Sequence, residues 1–179
     1  MIRLCNVCIV PLAERDAMPH RSRKAPTATG LRRSLLRAPI RLYRWRLGWL
    51  LGGRMLLLTH VGRSTGVPRQ VVLEVAGRDP DTGAYHVASG FGEASQWFRN
   101  IRRTPWVTIQ VGVRTMPAVA RLVPPEESGR LMAAYASRHP RLARRLMRLC
   151  GLETDGSAED YYLIGRDHIP FVAVTPSTA

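Results

Sequence analysis

The sequence predicts a mainly β domain with α decoration: a small antiparallel barrel of about six strands, with one helix inserted between the third and fourth and helices at both ends. Two observations carry that prediction. From Met55 onward, short runs of apolar and β-branched residues recur at close spacing, cut by turns rich in Gly and Pro. Apolar residues at helical three- and four-residue spacing occur before these runs, once between them, and again near the C-terminal end.

Residues 1–30 mix Arg, Pro, Ser, Thr and Gly without periodicity and read as a flexible basic arm, within which Met18 is a candidate start. Over 31–53, Leu36, Ile40, Tyr43, Leu47, Leu50 and Leu51 form one helical face. Arg33, Arg37, Arg41 and Arg44 form another, with Pro39 near the first turn and Gly52-Gly53 as the stop. This basic amphipathic helix carries Trp45 and Trp49, so residues 31–51 either lie on an anionic membrane surface or pack against the domain that follows.

That domain, 54–179, begins with a buried-strand pattern over Met55 to Thr59 and a β-branched run over Gln70 to Ala76, turned by Gly77 to Gly83 into a third strand, Ala84 to Ser89. Ser95 is placed to cap a helix to about Arg103, with Trp97, Phe98 and Ile101 facing inward and Thr104-Pro105 ending it. Trp106 to Val111 alternates, Gly112 turns, and Val113 to Leu122 returns as a hairpin partner. Pro124-Pro125-Glu126-Glu127 opens a helix that His139-Pro140 breaks, and a basic helix, Arg141 to Leu149, closes at Gly151. One or two helical turns from Asp160 to about Arg166 precede a final strand, Ile169 to Val174.

The 179 residues carry a net charge of +14, and Lys24 is the only lysine, so the cationic side is almost wholly arginine. Such a balance points to an anionic partner: a polyanionic cofactor, an acidic membrane surface or nucleic acid. Cys5, Cys8 and Cys150 are too few for a disulfide framework, and Cys5-Asn6-Val7-Cys8 lacks a second metal-ligand pair. No stretch reaches the roughly 18–20 apolar residues of a membrane span, and a cytoplasmic location is expected.

The stretch from Thr59 to Gln70 reads as an anion cradle. Gly62 and Gly66 can take positive φ, Ser64 and Thr65 offer hydroxyls, Arg63 and Arg69 offer forked donors, and successive backbone N–H groups can converge on a phosphate. The same residues also suit a plain hairpin turn. A second stretch, Ser89 to Asn100, sets glycines beside a helix N-terminus, which favours electron-rich ligand atoms. There is no HExxH or GxSxG, the five histidines lack metal-ligand spacing, and Glu74 and Asp160 stand as lone acids, so a metal site or paired acid–base catalysis has no support. His60 and His86 lie in strands and read as structural. Any redox chemistry would belong to a cofactor.

The motifs THVGRSTGVPR (59–69), SGFG (89–92) with QWFRN (96–100), and TPWVTIQVG (104–112) together resemble the deazaflavin-dependent nitroreductase family, split β-barrel proteins that bind coenzyme F420. The similarity runs from about Leu47 to Pro176. It implies a hydride transfer from reduced deazaflavin to a small electron-poor acceptor: a quinone, nitro compound or activated alkene. It also implies that Arg63, Ser64, Thr65 and Arg69, with Gly66 and Pro68, meet the coenzyme's phosphate and polyglutamate tail. The ring would lie by Gln70, Val71 and Val72 and by Ser89, Gly90, Phe91 and Gly92, with Gln96, Trp97 and Asn100 beside them. Tyr161, next to Tyr162, matches an aromatic position on the acceptor side, where its hydroxyl would orient or protonate the acceptor. Related split-barrel proteins bind FMN, which is the alternative cofactor, and a non-catalytic coenzyme or anion binder is the alternative function. A homodimer is also implied, and nucleic acid is not an expected partner. Attachment to the inner face of the cell membrane would follow if residues 31–51 lie on lipid.

Overall fold

A computed structural model describes residues 53–177; the basic arm and most of the amphipathic helix expected before them lie outside the described residues. Six strands form a closed antiparallel barrel in the order β1-β2-β3-β6-β5-β4: β1 (Met55–Val61), β2 (Pro68–Arg78), β3 (Tyr85–Ala88), β4 (Trp106–Val111), β5 (Arg114–Leu122) and β6 (Phe171–Pro176). Closure comes from β1, which pairs with β2 on one side and β4 on the other, so neither is left as a free edge. Among the described residues, four α-helices decorate it: α1 (Gln96–Arg103), α2 (Pro125–Arg138), α3 (Pro140–Cys150) and α4 (Ala158–Asp167).

The alternation within each strand sorts side chains into two cores. Leu56, Leu58, Leu73, Val87, Ile109, Val172 and Val174 fill the barrel, joined by Trp97, Phe98 and Ile101 of α1, which plug one end. The opposite face of β6 and the ends of β2 and β3 turn Phe171, Ala173, Ala76 and Ala88 outward. There they meet Met132, Ala143, Met147 and Ile164 in a second core under α2, α3 and α4.

Several boundaries moved for local reasons. β2 reaches Arg78 because Gly77 and Arg78 pair with His86 and Tyr85, across a register shift between Val75 and Gly77. The turn is left to Asp79, whose Oδ1 accepts from the N–H groups of Asp81 and Thr82. Val113 belongs to the hairpin tip beside Gly112, whose φ is 58°. The expected one or two turns after the acidic loop are instead the full helix α4, because Ser157 caps it, its Oγ accepting from the Asp160 N–H at 3.1 Å. Ser95 does occupy the N-cap of α1, but its hydroxyl accepts from Ser89 Oγ at 2.9 Å and makes no cap bond. α3 closes as expected, Gly151 taking a left-handed φ of 74°.

Candidate active site

The β1–β2 turn and one face of α1 meet around a cavity of about 140 Å³ lined by Gly62, Arg63, Ser64, Thr65, Arg69, Gln96 and Asn100. Local chemistry builds it. Gly66 takes a φ of 67°, while Gly62 is needed for space: a side chain there would meet Arg69 Nε at 2.9 Å and Thr65 Oγ1 at 3.0 Å. The expectation of positive φ therefore holds for Gly66 alone. The turn also spends its amides internally. The Gly62 N–H donates to Val67 O, the Thr65 and Gly66 N–H groups to Gly62 O, and the Arg63 N–H to Asn100 Oδ1. Four of the turn's amides are thus already bonded, which limits any convergence of N–H groups on a ligand.

Arg63 is held between two amides of α1, its Nη1 donating to Gln96 Oε1 at 2.8 Å and to Asn100 Oδ1 at 3.1 Å. Four residues separate these amides, one helical turn, so both project from the same side of α1, while Trp97 and Phe98 turn to the barrel core and stack edge to face at 5.9 Å. Asn100 is 2% exposed, and its Nδ2 donates to His60 Nδ1 at 3.0 Å. Accepting at Nδ1 suits a neutral imidazole. Burial lowers the His60 pKa, a bond with the Val61 backbone offsets part of that, and the positive charge of Arg69, paired opposite on β2, lowers it further. Two guanidinium groups and no carboxylate face the cavity, which suits an anion such as a phosphate or carboxylate tail.

A second cavity of about 140 Å³ lies between the barrel and the helices, lined by Val72, Leu73, Glu74, Ala76, Ala88, Gly90, Met132, Tyr135, Leu146 and Phe171. Two of the expected ring-side residues, Val72 and Gly90, are in its wall. Gly90 is there because α3 passes close by: a side chain would meet Cys150 Sγ at 2.9 Å. Its polar end is a pair that reading along the chain does not suggest. Glu74 looks solitary in sequence, yet its Oε1 accepts from Tyr135 Oη at 3.1 Å, across 61 positions, and lies 3.7 Å from Arg54 Nη2. Burial first, then the neighbouring carboxylate, raise the Tyr135 pKa well above the usual phenol range, so this hydroxyl keeps its proton.

The other expected site residues are spread around these cavities. Gln70 faces outward and donates to Thr59 Oγ1, and Val71 packs against the barrel core. Gly66 and Pro68 are exposed in and just after the turn. Ser89 is fully buried, its Oγ bonded to Gly92 O at 2.8 Å and to Ser95 Oγ; Phe91 is exposed; and Gly92 has a φ of 62° close to His168 O. Tyr161 on α4 is 4% exposed within the helical core and lines neither cavity, and its hydroxyl has no hydrogen-bond partner.

A closed six-stranded antiparallel barrel decorated by helices places the chain in the split β-barrel fold class. Residues 37–149 match the profile of the F420H(2)-dependent quinone reductase family, and the chain belongs to that family. It is thus an oxidoreductase that draws on the reduced deazaflavin coenzyme F420. Two solved structures with TM-scores of 0.50 or above agree on the fold. An FMN-binding, pyridoxamine 5'-phosphate oxidase-related protein of Nostoc punctiforme aligns with a TM-score of 0.51 at 16% identity, over 84% of this chain and 83% of that one. A conserved hypothetical protein of Mycobacterium tuberculosis aligns with a TM-score of 0.50 at 19% identity, over 75% and 80%. An F420-H2 dependent reductase (FDR-A) aligns with a TM-score of 0.46 at 22% identity, over 68% and 93%. Comparison with curated protein sequences finds no match.

Proposed function

We propose that the chain reduces a flat, electron-poor acceptor of quinone type, with the basic cavity holding the anionic part of F420 and the apolar cavity receiving the reacting rings. The supporting observation is the lining of the first cavity, in which Arg63 and Arg69 face inward with two hydroxyls and two amides and with no carboxylate to neutralise them. Arg63 is already oriented by Gln96 and Asn100, so binding an anion costs little further ordering of that side chain. When bound, the coenzyme supplies the hydride.

β2 connects the two cavities. Val72 lies three positions beyond Arg69, about 10 Å along an extended strand and on its opposite face, so a single ligand that meets both cavities must pass around the strand. In the apolar cavity, Val72, Ala88 and Phe171 offer a dry wall, and Gly90 lets a flat ring approach the backbone. Tyr135 Oη keeps its proton and spends it on Glu74 Oε1, whose side chain is 37% exposed, so it serves as a donor to negative charge developing on an acceptor oxygen only on leaving that carboxylate.

Titration with F420 tests the reading. Arg63→Ala and Arg69→Ala should each weaken binding by about 1–3 kcal/mol, as expected for charge-assisted bonds to phosphate or carboxylate. Unchanged affinity in both variants would remove the basic cavity from the coenzyme site. Supplying menadione and a nitroaromatic in turn to the F420H2-loaded enzyme ranks the acceptor classes, and faster turnover of the quinone is expected.

A further inference from the structure

His60 follows Leu56 and Leu58 in the alternation of β1, so it belongs to the barrel side of the strand, and it is buried. It lines neither cavity, yet one residue ties it to the basic one. Counting donors and acceptors gives that tie a direction. Two donors, the Arg63 N–H at 3.2 Å and Arg63 Nη1 at 3.1 Å, converge on Asn100 Oδ1. They fix the orientation of the amide, which leaves its NH2 group against His60 Nδ1 at 3.0 Å. The ring nitrogen must therefore accept, and its proton sits on Nε2. A neutral imidazole meets this demand; an imidazolium, with a proton on both nitrogens, does not. To answer a protonated Nδ1, Asn100 must turn its oxygen to the ring. Its NH2 group then faces the Arg63 N–H and guanidinium, donor against donor, and Arg63 keeps only Gln96 Oε1.

The charged groups around the ring are cationic. Arg69 stands opposite on β2, and Arg63 is reached through Asn100. On α1, Arg99 and Arg102 bond to Glu93, and Arg103 is exposed. On the other side, β4 pairs with β1 as far as Thr59 opposite Thr108 and carries no charged residue. Burial and the charge of Arg69 both favour the neutral ring.

We infer that His60 is a positioning residue for the coenzyme: its neutral Nε2–H form, acting through Asn100, holds Arg63 ready for an anion, and its protonation releases Arg63 and weakens binding. This rests on the reading of the basic cavity as the site of the coenzyme's anionic part. The sign separates it from a plain charge effect. By charge alone, an imidazolium near an anion site tightens binding, so weakening is the mark of the hydrogen-bond chain. The loss also has a ceiling, because releasing Arg63 costs no more than removing it.

Titrating the full chain with F420 from about pH 8 to about pH 5 tests the proposal, on the native protein, Arg63→Ala and His60→Asn. An asparagine oxygen can stand where Nδ1 stands, and it does not titrate. Titration of the coenzyme itself is common to all three proteins and cancels in ratios of Kd. At the upper pH, native protein and His60→Asn should bind alike, and Arg63→Ala about 5- to 150-fold more weakly. On acidification the native affinity should fall, by up to about tenfold per pH unit, toward that of Arg63→Ala. The ratio of His60→Asn to Arg63→Ala should stay constant. A native advantage over Arg63→Ala that holds or grows at acid pH would overturn the proposal, and that comparison requires no change at His60. Native-like acid weakening in His60→Asn would overturn it as well. If Arg63→Ala and Arg69→Ala both bind as the native protein does at the upper pH, the coenzyme reading itself falls, and this role of His60 with it.

Discussion

Asn100 makes three bonds at once, accepting from the Arg63 N–H and Nη1 and donating to His60 Nδ1. Asn100→Ala strips a buried imidazole and a backbone amide of their partners, so denaturant unfolding should show a loss of about 1–3 kcal/mol. F420 affinity should fall with it, because Arg63 loses its orientation. The same cluster sets a pH dependence. The His60 pKa is lowered in the fold, so the folded state binds fewer protons than the unfolded chain wherever His60 titrates. Its contribution is fully present above the free histidine pKa of about 6.5 and is lost as pH falls below that value. Native protein should therefore lose stability on mild acidification, and His60→Gln should flatten that part of the profile. Tyr161 gives the opposite test: its buried hydroxyl has no partner, so Tyr161→Phe should keep or raise stability, by up to about 1 kcal/mol, with turnover unchanged. A lost kcat at normal stability would instead give that hydroxyl the acceptor-side role its place in the sequence implies. Turn chemistry is local, which is why Gly62 to Arg69 could be read as a cradle from the chain alone. The partnership of Glu74 with Tyr135 could not, because only the fold brings α2 against β2.

Helices α2 and α4 cross at two glycines. A side chain at Gly165 would sit 2.5 Å from Met132 Cβ and 2.6 Å from Ser128 O, and one at Gly129 would sit 2.6 Å from the Tyr162 ring. The Met132 Cβ and the Ser128 carbonyl belong to α2 itself and cannot rotate away, so Gly165→Ala must push the helices apart. The expected loss is about 1–3 kcal/mol, read from the thermal or denaturant midpoint, and because Met132 also lines the apolar cavity, F420 affinity should weaken with it. Element identity followed from period and breakers: β4 falls on the residues that alternation marked, and α2 stops where His139-Pro140 predicts. Element ends were less legible. The extension of β2 to Arg78 depends on pairing with β3, which is not local, while the earlier start of α4 rests on the Ser157 cap, which periodicity alone does not mark.

At the scale of the whole molecule, part of an arginine excess that sequence could assign only to some anion falls, among the described residues, on two separate surfaces: a pocket with Arg63 and Arg69, and the exposed face of α3. No helix among the described residues is long and apolar enough to cross a membrane. Salt should weaken coenzyme binding, and the Arg63 and Arg69 variants should lose much of that salt dependence. The decisive comparison is a titration of the full chain with F420 and with FMN at low and high salt, repeated on Arg63→Ala/Arg69→Ala. Saturable F420 binding that weakens with salt and nearly vanishes in the double variant, with FMN far weaker, is the expected result. Saturable FMN binding without F420 binding, or a double variant that holds F420 as the native protein does, would contradict it.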